Sequence, residues 1–335
     1  MNKYKDIRAW RIEPARMIAD ALINWPCLAG FARRTTTYLH LEYAAGQQAQ
    51  IEQDIRHGAF FMTNHRDIVM DSAWLSMLLE RKYGIRPFIG IGNNLFGKWW
   101  IEPFVRFNRA FVVIRDGSPR ELLQHSKTLS EYIQHLRKCG KSIWLAQREG
   151  RAKDGDDRTQ PAVLKMLTMT KDEGHNTVLD TLKALNICPV SISYEYDPCD
   201  YLKAQEMQLK RDIEGWKKSK QDDLLSMHTG IHGQKGRVIF RMTPSINHWI
   251  DSRRAELEQM NKNDLINAVA AQIDKQIHAN YEMFERGTEF ETYLHRQYNK
   301  INIPNKDDTF LMDKLHEMYH NPVINYEKSH LSGLV

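Results

Sequence analysis

The stretch FFMTNHRDIVMDS, residues 60–72, ends an apolar run in Asn64 and His65 and sets an arginine and two aspartates immediately after it. An imidazole titrates near neutrality, and a neighbouring carboxylate can fix its tautomer and stabilise the imidazolium, so the group has the parts of a general base. Asp67 and Asp71 are both candidates for that carboxylate. The plainer alternative is a histidine that only caps a helix beginning near Asp67.

Three further polar islands follow or bracket apolar runs. NRAFVVIRD places Arg109 and Arg115 at the two ends of one run. Arginines there can simply solvate strand ends, but beside a site a guanidinium is a natural phosphate clamp, with five donors in a planar fork. AQREGRAKDGDDRTQP, residues 146–161, crowds Arg148, Arg151, Lys153 and Arg158 into a loop with Gly150 and Gly155. Glycines allow tight turns that aim N–H groups and cations at an anion. CPVSISYEYDP is entered through Pro189 and ends in Tyr194 and Glu195; taken alone it reads as a core strand.

The elements that must position these islands are short apolar runs alternating with amphipathic stretches. Strands are predicted at 59–63, 87–91, 110–114, 142–146, 188–194 and 236–242, with helical spacing between them, as in Leu122, Leu123, Leu129, Tyr132 and Leu136. Such alternation predicts an α/β fold, a mainly parallel sheet covered by helices. Ligands of parallel sheets sit beyond the carboxyl ends of the strands, which makes each island a candidate for one shared site. Beyond Trp249 the chain turns helical and polar. The expected organisation is an N-terminal helical segment over 1–50, an α/β domain over 51–250 and a C-terminal helical extension over 251–335. The span 210–223, KRDIEGWKKSKQDD, reads as an exposed helix or insertion.

The chain is long enough, at 335 residues, for one large α/β domain with appendages or for two modest domains. Its net charge of +5 suits an anionic substrate or lipid surface without demanding nucleic acid, since the basic residues lie in loops between acids rather than along an aromatic face. Cys27, Cys139, Cys188 and Cys199 are spaced too irregularly for a zinc ribbon or redox pair, and the charged N-terminus has no signal-peptide pattern, so a reduced, cytoplasmic protein is expected. The apolar segment 17–32 is too short to span a bilayer. It suits either a membrane interface, as does LFGKWWIEPFVRF at 95–107, or packing on the protein's own core.

In order, the four islands resemble the motif blocks of the glycerolipid acyltransferases, the superfamily of glycerol-3-phosphate and lysophosphatidate acyltransferases. NHRDIVMD is similar to the histidine–aspartate block, RAFVVIR to the second, EGRAKDG to the third and PVSISYE to the fourth, together covering about residues 58–196. The resemblance implies His65 as general base and Asp71 as its orienting acid, with Asp67 the alternative because five residues, not four, separate His65 from Asp71. It implies that Arg115, Glu149, Gly150, Arg151 and Lys153 hold the acceptor's phosphate. The third block is one residue short, so Arg151 takes the family arginine's place and Lys153 that of the second cation. Pro189 and Ser191 would shape the acyl-donor side, and Arg66 would contact an anionic acceptor.

The implied activity is transfer of a fatty acyl group from acyl-CoA or acyl-carrier protein to the hydroxyl of glycerol 3-phosphate or a lysophospholipid, with no metal or cofactor, at the inner face of a membrane. Two alternatives stay open: a lipid acceptor without glycerophosphate, and a catalytically silent protein that binds lipid or acyl-carrier protein.

Overall fold

The computed structural model describes residues 24–93, 109–170 and 177–331. Within them seven strands form one sheet: β1 (Thr36–Tyr43), β2 (Phe60–Thr63), β3 (Phe88–Gly92), β4 (Ala110–Val113), β5 (Ile143–Ala146), β6 (Ile187–Tyr194) and β7 (Gly236–Met242), in the order β1-β7-β6-β2-β5-β3-β4. Every neighbouring pair is parallel except β6 and β7. The α/β architecture and the six anticipated strands are as expected, to within a residue or so at their ends. β1 was not anticipated; it lies in the segment read as helical and pairs with β7 along the sheet edge.

The central strand β2 shows why both faces must be covered. Its four residues are all buried, and period-two alternation sends Phe60 and Met62 to one face and Phe61 to the other. On the first face they meet α4 (Pro119–Lys138), α5 (Pro161–Leu167), α6 (Val178–Leu185), α9 (Asn247–Ser252), the short α10 (Arg254–Leu257) and α11 (Lys262–His278). The opposite face carries α1 (Trp25–Thr35), α2 (Gln48–Ile55) and α3 (Met70–Tyr83). The remaining helices are α7 (Asp200–Asp212), α8 (Lys220–His232), α12 (Thr288–Tyr298) and α13 (Asp308–Leu331); α7, α12 and α13 enclose a separate apolar cluster around Leu294, Leu311 and Leu315.

Local signals explain the helix limits that matter for the site. Ser118 starts α4 with a reciprocal capping box to Glu121, and Gly84 stops α3 in the left-handed conformation at φ +68°. Beyond residue 250, α11 packs on the body of the protein: its Leu265, Ile266, Val269, Ile273 and Ile277 share the apolar cluster of Phe60 and Ile143. Of the segment 17–32, the described part belongs to α1, where Trp25, Leu28 and Ala29 pack against the sheet's second face. Residues 95–107 lie outside the described residues. Among those described, no helix is long and apolar enough to cross a membrane.

Candidate active site

β2 delivers Asn64 and His65 to the carboxyl edge of the sheet, where Asn64 clamps two strand ends together. Its amide donates to the Ile192 carbonyl at 2.9 Å and its carbonyl accepts from the Ile192 N–H at 2.7 Å. His65 leaves the strand next, with its own N–H held by Asp157 Oδ2 at 2.8 Å and its ring edge-on to Trp144. The backbone entering the turn is thereby fixed from both sides.

Asp71 sits wholly buried in the first turn of α3, with its Oδ2 2.9 Å from His65 Nδ1. The same oxygen accepts the N–H groups of Arg66 at 2.6 Å and Asp67 at 2.9 Å, while Oδ1 accepts the Tyr194 hydroxyl at 2.9 Å. With Nδ1 engaged by Asp71, Nε2 is the ring nitrogen left to take a substrate proton when Nδ1 carries the hydrogen. Asp67 instead turns its Oδ1 to the N–H groups of Val69 and Met70, capping the start of α3. Burial, and then the charge of Asp71, raise the Asp67 carboxyl above its usual range. Residues 66–69 form the turn ahead of α3, and the contact to His65 falls to Asp71, six residues on, and not to Asp67.

His65 lines a cavity of about 470 Å³ at the ends of β2, β3, β4 and β5. Arg115, Glu149, Gly150, Arg151 and Lys153, from the second and third islands, line the same space. Its apolar wall includes Ile91, Val113, Leu145, Val163 and Met166. A cationic rim with an apolar wall beside a histidine ring suits an amphiphile with an anionic end. Arg115 lies 3.8 Å from Glu149, and Lys153 pairs with Glu206 at 2.8 Å. Burial, then repulsion from Arg151, push the Lys153 ammonium down to about 8. Arg151 is buried and one of its terminal nitrogens has no hydrogen-bond partner. Gly150 lines the cavity at φ +68°, a conformation that glycine adopts without strain.

Three of the expected residues stand elsewhere. Pro189 and Ser191 lie within β6 and are absent from the cavity wall; Pro189 aligns with Met62 of β2, and Ser191 is fully buried inside the sheet. They lie in the frame of the sheet. Arg66 points away from His65, into a second cavity described below.

The residues that the sequence did not single out are those joined over long separations. Asp157 and Tyr194 reach the His65–Asp71 pair from 92 and 123 residues away. The third-island loop is braced by the C-terminal helices: Thr159 donates to Asp274, His278 Nε2 meets the Asp157 carbonyl, and Asn321 donates to the Asp154 carbonyl. Gly155 lies so close to α13 that a Cβ there would stand 2.2 Å from the Met318 carbonyl oxygen. Nothing in the local sequence marks these partners. Among the described residues no cluster of three or more His, Cys, Asp or Glu is arranged to hold a metal ion.

Fold and site together define an α/β protein that carries a histidine, oriented by a buried carboxylate, at the carboxyl edge of a mainly parallel sheet. No family model and no curated protein matches the chain. Among solved structures it is similar to PlsC, the 1-acyl-sn-glycerophosphate (LPA) acyltransferase of Thermotoga maritima, at 12% identity over 78% of this chain and 81% of that one, with a TM-score of 0.38.

Proposed function

We propose that this protein is an acyltransferase that moves a fatty acyl group from a thioester, acyl-CoA or acyl-carrier protein, to the hydroxyl of a phosphorylated glycerol or lysolipid. The observation that carries the reading is the His65–Asp71 pair, 2.9 Å apart, on the wall of a cavity that also presents Arg115, Arg151 and Lys153. In this scheme the acceptor hydroxyl gives its proton to His65 Nε2 as its oxygen attacks the thioester carbonyl. Asp71 stabilises the imidazolium and keeps its ring in place. The tetrahedral adduct then expels the thiolate, which takes the proton from His65, leaving an ester, a free thiol and the original histidine. A thioester is already activated, so the scheme asks for no covalent enzyme nucleophile.

The apolar wall formed by Ile91, Val113, Leu145, Val163 and Met166 fits the acyl chain, and the cationic rim fits the anionic end of the acceptor. The test is thioester-dependent acylation across a panel of acceptors with both donor types. His65→Ala is expected to lower turnover by about 10² or more, the scale of losing a general base. Full activity in a folded His65→Ala variant overturns the assignment of the base. Absence of any acyl transfer by the native protein favours a silent lipid- or carrier-binding role.

A further inference from the structure

Behind the His65–Asp71 pair lies a second cavity, of about 260 Å³, whose wall is built largely by chain beyond the four motif blocks. Arg66, Lys153, Lys203 and Arg286 bring positive charge to it, and Tyr281, Phe284 and Tyr319 give it aromatic walls. Its acids are already engaged. Asp197 pairs with Lys203 at 2.5 Å, and Glu282 pairs at 2.6 Å with Arg241, which is not on the wall. Lys153 is matched by Glu206.

Two guanidiniums remain. Arg66 has no carboxylate within ion-pair distance among the described residues, and its buried Nε has no hydrogen-bond partner. Asp157, whose carboxyl burial raises and the charge of Arg66 then opposes, spends its Oδ2 on the His65 N–H. Arg286 spends one nitrogen on the Tyr319 carbonyl at 2.8 Å and rests on the rings of Phe290 and Tyr319, again without a carboxylate. Two unpaired guanidiniums that face one half-enclosed space repel each other and leave donors unmet, a cost that a bound anion removes. With Lys153 at the border, three cations converge from different elements, which suits the dianionic, tetrahedral oxygens of a phosphate better than a planar carboxylate.

We propose that this second cavity binds the phosphate group of a small phosphate monoester, with Arg66 and Arg286 as its clamps. The site stands whether or not the acyltransferase reading does, because its chemistry is binding. It also touches the proposed catalytic pair. Arg66 follows His65 in the chain and its N–H lies on Asp71, Tyr194 reaches from this cavity's wall to the other oxygen of Asp71, and Lys153 lines both cavities. The phosphate has two possible sources, the acceptor itself or a separate free phosphate.

The experiment is calorimetric titration of the native chain with inorganic phosphate and, separately, with glycerol 3-phosphate. Saturable binding is expected that weakens at least tenfold in Arg286→Ala and that Arg253→Ala, which removes an exposed charge on neither cavity, leaves in place. Val323→Phe fills the second cavity without removing a charge and is expected to weaken binding similarly, so that a folding defect peculiar to Arg286→Ala does not decide the matter. Thermal melts of both variants give the folding control. If glycerol 3-phosphate competes with phosphate and its KM in acyl transfer rises in Arg286→Ala, the anion belongs to the acceptor. If phosphate binds there while that KM is unchanged, the site takes a separate phosphate. Affinity that survives both Arg286→Ala and Val323→Phe, or no binding of either anion, overturns the proposal.

Discussion

The Tyr194 hydroxyl donates to Oδ1 of Asp71 at 2.9 Å, on the oxygen opposite the one that meets His65. Tyr194 is buried at the end of β6, and burial, followed by the charge of Asp71, raises its phenol well above the usual range, so it stays a donor. Tyr194→Phe keeps the ring and removes only that bond. Asp71 then loses one of the donors that hold its charge and orientation. A fall in kcat of roughly tenfold is expected, about 1.4 kcal/mol, with the KM for the thioester nearly unchanged. Steady-state kinetics check it, and a wild-type kcat would mean that Tyr194 only packs.

Gly155 and Gly150 share one loop and separate two physical effects. Both have positive φ, but a Cβ at Gly155 would meet the Met318 carbonyl oxygen at 2.2 Å, whereas the space at Gly150 is open within 4 Å. Gly150→Ala should therefore cost only the left-handed backbone term, about 1–2 kcal/mol. Gly155→Ala adds a clash with α13 and should cost roughly 1–3 kcal/mol more, as overpacked positions do. Urea midpoints of the two variants measure the difference. Equal midpoints would show that the third-island loop does not rely on its seat against α13.

That seat also explains which parts of the site were legible in the sequence. His65, Arg115, Glu149, Gly150, Arg151 and Lys153 could be read because each follows or ends an apolar run, and the carboxyl ends of parallel strands gather such islands. β1 escaped the reading although Leu39, Leu41 and Tyr43 alternate with Tyr38, His40 and Glu42, because it follows α1 without a break and the whole segment reads as helical. Pro189 and Ser191 matched a motif block, but the strand pairing sets them inside the sheet. Asp157, Tyr194 and Arg286 acquire their meaning from partners far along the chain. No period or local spacing encodes those contacts.

Lys153 links charge at the site to pH. Its ammonium, pushed to about 8 by burial and by Arg151, is mostly charged at pH 7 and mostly neutral at pH 9. If it helps to hold an anionic acceptor, the KM for a phosphorylated acceptor should rise between those values. Lys153→Arg keeps its charge throughout and should flatten that rise. Arg151→Ala should raise KM at every pH, by ten- to a hundred-fold in kcat/KM if a charge-assisted contact of about 1.5–3 kcal/mol is lost. A pH-independent KM in the native chain would remove Lys153 from the acceptor's surroundings.

Asp200 carries a pH effect on stability that is separate from activity. It is fully buried at the start of α7, its Oδ2 accepts the hydroxyls of Tyr293 and Tyr319 at 2.8 Å each, and burial, then the charge of Asp197, raise its carboxyl to about 7. In the unfolded chain the same group titrates near 4. Below about pH 4 it is protonated in both states, and its contribution to stability is fully present. Between about 4 and 7 the folded protein holds a proton that the unfolded chain has released, so the contribution declines as pH rises and is gone above about 7. Asp200→Asn keeps an acceptor for the two tyrosines and does not titrate. Its stability relative to the native chain should therefore rise between pH 5 and pH 8, by an amount on the order of a few kcal/mol at most. Denaturation curves at both pH values check this, and parallel pH profiles for the two proteins would place the proton elsewhere.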